Sequence, residues 1–103
     1  MAVEIKVKGE VLTAYISGEI DHHTAASVRE AIDSAVELNM PSLLVLDFGS
    51  VSFMDSSGIG LVMGRYRVLQ GFSATLEIRN VTASTKKSME LAGRGSIAII
   101  KEI

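Results

Sequence analysis

The sequence has no cysteine, a single proline, almost no net charge and no long apolar run. Without cysteine the chain forms neither disulfides nor thiolate-ligated zinc sites, which slightly favours a reducing compartment, and we expect a cytoplasmic protein. Its 10 Lys and Arg residues against 12 Asp and Glu give no basic stripe for nucleic acid. No run approaches the ~20 apolar residues of a membrane-spanning helix, and residues 1–10 alternate apolar and charged side chains, so neither a membrane span nor a signal peptide is expected.

Length and hydrophobic content bound the architecture. The chain has 103 residues, of which 48% are hydrophobic. A chain of this size can bury a core without disulfides or metals but has no room for a second core. We therefore expect a single domain over residues 1–103.

The spacing of apolar residues predicts eight elements in the order ββαβαβαβ. Alternation indicates strands, and a period of three to four residues indicates helices. Pro41 ends the first helix because proline disfavours helical geometry in the residue before it. The predicted strands are residues 3–7, 11–17, 43–46, 75–79 and 97–100, and the predicted helices are 24–39, 58–70 and 83–92, the last capped by Thr82 and stopped by Gly93. This order favours an α/β fold with one largely parallel sheet whose strand order stays open.

Two of these elements have unusual apolar patterns. Residues 43–46 are apolar without alternation, which predicts a strand buried on both faces. The second helix has a main apolar stripe and also Leu61 and Val68 on its far side, near Gly64 and Arg65. Either another part of the domain or a partner protein covers that side. The predicted main stripe consists of Ile59, Val62, Met63, Tyr66 and Leu69.

The turn before the second helix is the most informative segment. Small polar residues, including Ser56 and Ser57, follow a buried strand there, and sites in α/β sheets form at such turns. A serine at the helix N-terminus lies where backbone N–H groups favour an anion. The alternative is ordinary helix capping by Asp55, Ser56 or Ser57.

Enzymatic interpretations of the same turn fit poorly. A hydrolase nucleophile elbow needs glycine two residues before and two residues after the serine, and neither serine has this pattern. The glycines at 58, 60 and 64 have the spacing G-x-G-x-x-x-G, which differs from a dinucleotide fingerprint and is more simply explained by close helix packing.

The segment Asp21-His22-His23 suggests a metal site only weakly, because adjacent side chains diverge and no cysteine or further histidine accompanies them. We expect the histidines in an exposed loop, with Asp21 or Thr24 capping the helix that follows. Asp47, at the end of a strand, is interpreted as a turn former.

Two segments resemble the anti-sigma factor antagonist family, whose fold is the STAS domain. They are residues 17–25, SGEIDHHTA, and residues 53–60, FMDSSGIG, and Gly64-Arg65-Tyr66 adds to the match. The resemblance spans nearly the whole chain and is closest to the sporulation-type anti-sigma-F antagonists. It implies a single mixed, largely parallel sheet with helices packed on it.

The resemblance also implies a function. The second serine of the turn, Ser57, would accept a phosphoryl group from an anti-sigma factor that is itself an ATP-dependent serine kinase. The unphosphorylated protein would bind that anti-sigma factor and release its sigma factor, and a serine phosphatase of the PP2C type would reset it. The chain would need no cofactor and have no catalytic activity of its own. Phosphate at a helix N-terminus should unfold little of the domain and act instead on the complex.

Specific roles are implied for residues around Ser57. Asp55 and Ser56 would position its hydroxyl, and Gly58 and Gly60 would leave room for the kinase backbone. The partner-binding residues expected are Asp21, His22, His23, Gly60, Leu61, Gly64, Arg65 and Val68.

Two departures from the family pattern are Arg94, where relatives have an apolar residue, and Gln70-Gly71-Phe72, which lacks a double glycine. Two other functions remain open. One is a scaffold-type STAS domain that assembles signalling complexes, and the other is a domain that binds a small ligand or nucleotide at the same turn.

Overall fold

Five strands form one mixed sheet, and three helices connect them in a computed structural model that describes residues 2–93 and 99–102. The order ββαβαβαβ is confirmed. The elements are β1 (Val3–Lys8), β2 (Val11–Ile20), α1 (His22–Asn39), β3 (Leu43–Met54), α2 (Ser56–Gln70), β4 (Thr75–Val81), α3 (Ala83–Gly93) and β5 (Ile99–Glu102).

The strands lie in the sheet in sequence order, β1-β2-β3-β4-β5. β1 and β2 pair antiparallel through a tight turn at Gly9, whose φ of 60° suits glycine, and the remaining pairs are parallel. Each β-α-β connection therefore advances one strand in the same direction. Crossovers share one hand, so the three helices lie on the same face of the sheet.

The core lies between that face and the helices. Leu44 and Leu46 of β3 are fully buried in one apolar cluster with side chains from every helix. Val45, also fully buried, points to the opposite face, where it pairs with Thr13 of β2 and Glu77 of β4. The expectation that this strand is buried on both faces is confirmed at these positions: the helices cover Leu44 and Leu46, and side chains of the two neighbouring strands lie beside Val45 on the other face.

Several elements are longer than the sequence pattern predicts. β2 and β3 stay paired, through two register shifts, as far as Ile20 and Met54. The polar residues in these extensions break the alternation, but inter-strand backbone hydrogen bonds do not depend on it. β5 is described from Ile99 to Glu102 and extends two residues past the predicted end at Ile100; Arg94, Ile97 and Ala98 lie outside the described residues.

The predicted core stripe of α2 is wrong in part. Val62 and Leu69 are buried, but Leu61 and Arg65 are buried as well, at 5% exposure each, whereas Ile59, Met63 and Tyr66 are half-buried. The reason is that α2 lies between α1 and α3 and contacts both, so its buried arc extends toward α1. The domain itself thus covers Leu61, and Val68 stays 36% exposed.

None of the helices in the described part of the chain is long and apolar enough to cross a membrane.

Candidate functional site

Two helices begin side by side at one edge of the sheet. The last residues of β2 and β3, Ile20 and Met54, are paired, and the Asp55 backbone N–H donates a 3.2 Å hydrogen bond to the Ile20 carbonyl. α1 starts two residues after Ile20 and α2 two residues after Met54. The N-termini of α1 and α2, each with a positive dipole end, therefore lie together.

Asp55 caps α2. Its extended backbone precedes the helix, and its carboxylate accepts a 2.7 Å hydrogen bond from the Ser57 backbone N–H. The helix accordingly begins at Ser56, two residues earlier than predicted. Asp55 thus holds the backbone of Ser57 rather than its hydroxyl. Within residues 2–93 and 99–102 no protein group hydrogen-bonds the Ser57 hydroxyl, so this half-buried oxygen is available for chemistry.

The two serines of the turn face different neighbours. Ser57 lines a groove between α1 and α2, and exposed Ser56 lines a separate cavity of ≈ 460 Å³ shared with Ser84 and Ser88 of α3. One residue of difference on a helix rotates a side chain by about 100°, which separates them.

Asp21 caps α1 in the same way, with a reciprocal partner. Its carboxylate accepts hydrogen bonds from the backbone N–H groups of His23 and Thr24 at 2.9 and 3.0 Å, and the Thr24 hydroxyl accepts one from the Asp21 N–H at 2.9 Å. Hydrogen bonding to the charged form, chiefly from the Thr24 N–H, lowers the pKa of Asp21 below its ordinary value. Both residues named as possible caps therefore act together in a capping box.

The prediction of a loop around the histidine pair is wrong. His22 and His23 form the first turn of α1, are exposed, and have ring centroids 4.0 Å apart. The capping box starts the helix two residues before the apolar periodicity does. In the described residues, no group of three or more His, Asp or Glu side chains is arranged to hold a metal ion.

The groove between α1 and α2, here called the α1–α2 groove, has a volume of ≈ 310 Å³. It brings together six of the twelve predicted site residues; the six that do not line it are Asp21, His23, Asp55, Ser56, Gly58 and Val68. Sequence reasoning missed its α1 side, although the spacing of three and four residues from His22 onward was a signal for one helix face. The lining residues are His22, Ala25, Ala26, Arg29, Ser57, Gly60, Leu61, Gly64 and Arg65.

The glycines of α2 have two different environments. A Cβ at Gly58 would overlap the Met54 side chain, so buried Gly58 serves packing inside the domain and leaves no room for a partner. The expectation that Gly58 leaves room for the kinase backbone is therefore wrong. Among the described residues, a Cβ at Gly60 or Gly64 would meet nothing within 4 Å. The packing explanation therefore fails for these two, which border the open groove.

Arg65 and Asp33 form an ion pair between α2 and α1. The Arg65 Nε lies 2.9 Å from Asp33 Oδ1, with side-chain exposures of 6% and 29%. Burial lowers the pKa of Arg65 below its ordinary value, and the Asp33 carboxylate opposes this. Asp33 thus holds the arginine at the edge of the groove.

Known proteins with similar sequences and structures share one family. A model described as the STAS domain matches residues 2–101. The chain is 30% identical over 93 residues to the anti-sigma F factor antagonist of Paenibacillus polymyxa, covering 90% of this chain and 80% of that protein. It is 32% identical over 89 residues to the anti-sigma F factor antagonist of Lysinibacillus sphaericus, covering 86% and 76%.

Among solved structures, the fold is similar to that of the anti-sigma factor antagonist SpoIIAA in its unphosphorylated form. The TM-score is 0.79 at 29% identity, covering 99% of this chain and 89% of that one. The phosphorylated form of the Bacillus cell fate determinant SpoIIAA is similar with a TM-score of 0.77, again at 29% identity, covering 99% and 92%.

Proposed function

The chain belongs to the STAS domain family, and on that premise we propose that it is an anti-sigma factor antagonist switched by phosphorylation of Ser57. Unphosphorylated, it binds an anti-sigma factor that is also a serine kinase and thereby frees the sigma factor. Phosphorylation on Ser57 ends this binding, and a PP2C-type serine phosphatase restores it. The chain is a substrate and a binding partner, not a catalyst.

The observation that carries the proposal is the state of the Ser57 hydroxyl. It is half-buried at the start of α2, its backbone is held by Asp55, and it lines the groove between two helix N-termini. Phosphate adds about −1.5 to −2 charges, which the positive ends of two helices accommodate. The chain also resembles both forms of SpoIIAA nearly equally, in keeping with a modification that leaves the fold in place.

The transfer itself needs only this hydroxyl from the chain. Ser57 Oγ attacks the γ-phosphorus of ATP bound to the kinase, the Oγ–P bond forms as the bond from the γ-phosphorus to the bridging oxygen breaks, and ADP leaves. The hydroxyl proton passes to a base on the kinase. Ser57 contributes a positioned nucleophile, and no group of this chain is required to activate it.

The surface beside Ser57 suits a protein partner. Gly60 and Gly64 present backbone without side chains to the α1–α2 groove, and each glycine costs a helix interior about 1 kcal/mol relative to alanine. No packing contact in the part of the chain that the structure describes explains that cost. Close approach of a partner backbone does, with exposed His22, His23 and Val68 at the margins.

The experiment is phosphorylation by a sporulation-type anti-sigma kinase with ATP, followed by intact mass and site mapping. The wild type should gain one phosphoryl group on Ser57, and Ser57→Ala should gain none. Ser56→Ala is the matched control, since Ser56 lies one residue away on a different side of α2, and it should be phosphorylated like the wild type.

A second measurement separates the switch from the other functions of this fold. Ser57→Asp should lower the affinity for the anti-sigma factor at least tenfold, whereas a scaffold-type STAS domain would bind its partners regardless of this charge. Calorimetry of this chain with nucleotides, in the absence of any protein partner, should give no binding heat, and saturable binding would favour the small-ligand function. A kinase proven active on another antagonist that leaves this chain unmodified would refute the proposal.

A further inference from the structure

The α1–α2 groove has a one-sided charge. Three basic side chains line it, His22, Arg29 and Arg65, and no Asp or Glu is among its lining residues in the part of the chain described. Asp33 reaches Arg65 from outside the lining set. Asp33 offsets the charge of Arg65, so the lining itself keeps an excess of positive charge. The carboxylates of Asp21 and Asp55 cap the two helices outside this lining.

Arg65 is an unusually buried member of this set. Its side chain is 6% exposed, and its buried Nη1 has no hydrogen-bond partner among residues 2–93 and 99–102. Burial is the main reason that the pKa of Arg65 is lowered, and repulsion from Arg29 lowers it further. The two arginines, which line the same groove, are thus close enough to interact, and an anion beside Arg29 would relieve this repulsion.

A phosphoryl group on Ser57 would place such an anion in the groove, covalently attached to the chain itself. Ser57 shares the groove with His22, and both residues fall in the first turn of neighbouring helices. Arg29, two turns along α1, lines the same groove.

We propose that the α1–α2 groove is an intramolecular phosphate site, which receives the phosphoryl group of phosphorylated Ser57 between His22 and Arg29. The inference rests on the proposed phosphorylation of Ser57. The phosphate then spans α1 and α2 and strengthens their contact. It also covers the surface at Gly60 to which the anti-sigma factor binds when the chain is unphosphorylated. Phosphorylation thus closes the docking surface as well as adding charge.

The test installs phosphoserine at position 57 during synthesis and compares thermal unfolding with and without the phosphate at low salt. The phosphate should raise the Tm of the wild type by about 4 °C, the shift that one charge-assisted interaction gives in a domain of this size. Arg29→Gln should abolish that gain. Arg67→Gln is the matched control, since exposed Arg67 does not line the groove, and it should keep the gain.

The histidine pair offers a second matched comparison. His22→Gln should reduce the gain, and His23→Gln, one residue away and outside the groove, should preserve it. The inference is overturned if phosphate lowers or leaves unchanged the Tm of the wild type, or if Arg29→Gln and Arg67→Gln lose the same gain. Because no kinase takes part, a gain that depends on Arg29 supports the inference even where the kinase experiment fails.

Discussion

Replacing the glycines within α2 by alanine should stabilise the folded protein at Gly60 and Gly64 and destabilise it at Gly58. Alanine is favoured over glycine by about 0.8–1.0 kcal/mol in a helix interior. At Gly60 and Gly64 the new methyl group meets nothing within 4 Å, so each substitution should raise the free energy of unfolding by most of that amount.

Gly58 should behave differently. Its Cβ would overlap the Met54 Sδ and Cγ atoms, and overpacking of this kind costs about 1–3 kcal/mol. Gly58 is also in the first turn of α2, where the gain in helix propensity is smaller than in the interior. The net effect of Gly58→Ala should be a loss of about 1–2 kcal/mol.

The assay is urea-induced unfolding followed by far-UV circular dichroism, with calorimetric binding to the anti-sigma factor on the same samples. Gly60→Ala should bind the partner at least tenfold more weakly although it is the more stable protein, because its methyl group occupies the docking surface. A destabilised Gly60→Ala would show that the groove is closed. A more stable chain with unchanged affinity would refute the docking surface.

Three further predictions concern stability. Asp33→Asn should cost about 2–3 kcal/mol in urea unfolding because it leaves a buried guanidinium unpaired, whereas exposed Glu30→Gln should stay within about 0.5 kcal/mol; equal effects would contradict a buried pair. Met40 ends α1 with φ 46°, so Met40→Gly should gain about 0.5–1 kcal/mol and Leu38→Gly, inside the helix, should lose about 1 kcal/mol; losses at both positions would contradict the left-handed cap. The pKa of Asp21 is lower in the folded state, so its contribution is present above the unfolded value and is lost as pH falls below about 4. As pH falls, the free energy of unfolding of Asp21→Asn should therefore decrease less steeply than that of the wild type. Parallel decreases in the two proteins would show that Asp21 does not act as a cap.

Local chemistry determined much of this protein. The order of strands and helices follows from apolar spacing, which each segment carries by itself. The helix starts also rest on contacts within three residues, Asp55 with Ser57 and Asp21 with Thr24. Segments recognisable as a family signature lie at these same starts, so the sequence also indicated Ser57 as the central residue of the site.

The starts of α1 and α2 were nevertheless missed by two residues each, whereas the start of α3 at Ala83 was predicted. Apolar periodicity begins only where side chains reach the core, whereas a cap begins the helix earlier, at His22 and Ser56. Prediction from periodicity therefore placed the histidine pair in a loop. The sequence indicated that Asp21 or Thr24 caps this helix, but it did not show which of the two residues does so.

Only the tertiary structure decided what surrounds Ser57. The pairing of Asp33 with Arg65, the basic lining at Arg29 and the contrast between Gly58 and Gly60 all depend on α1 lying beside α2. That adjacency follows from the strand order, which is set by pairing between segments far apart in the chain. A helix sequence shows which residues share a face, but it does not show which other element that face contacts. Contact with α1 is a long-range property of the fold, and it buries Arg65.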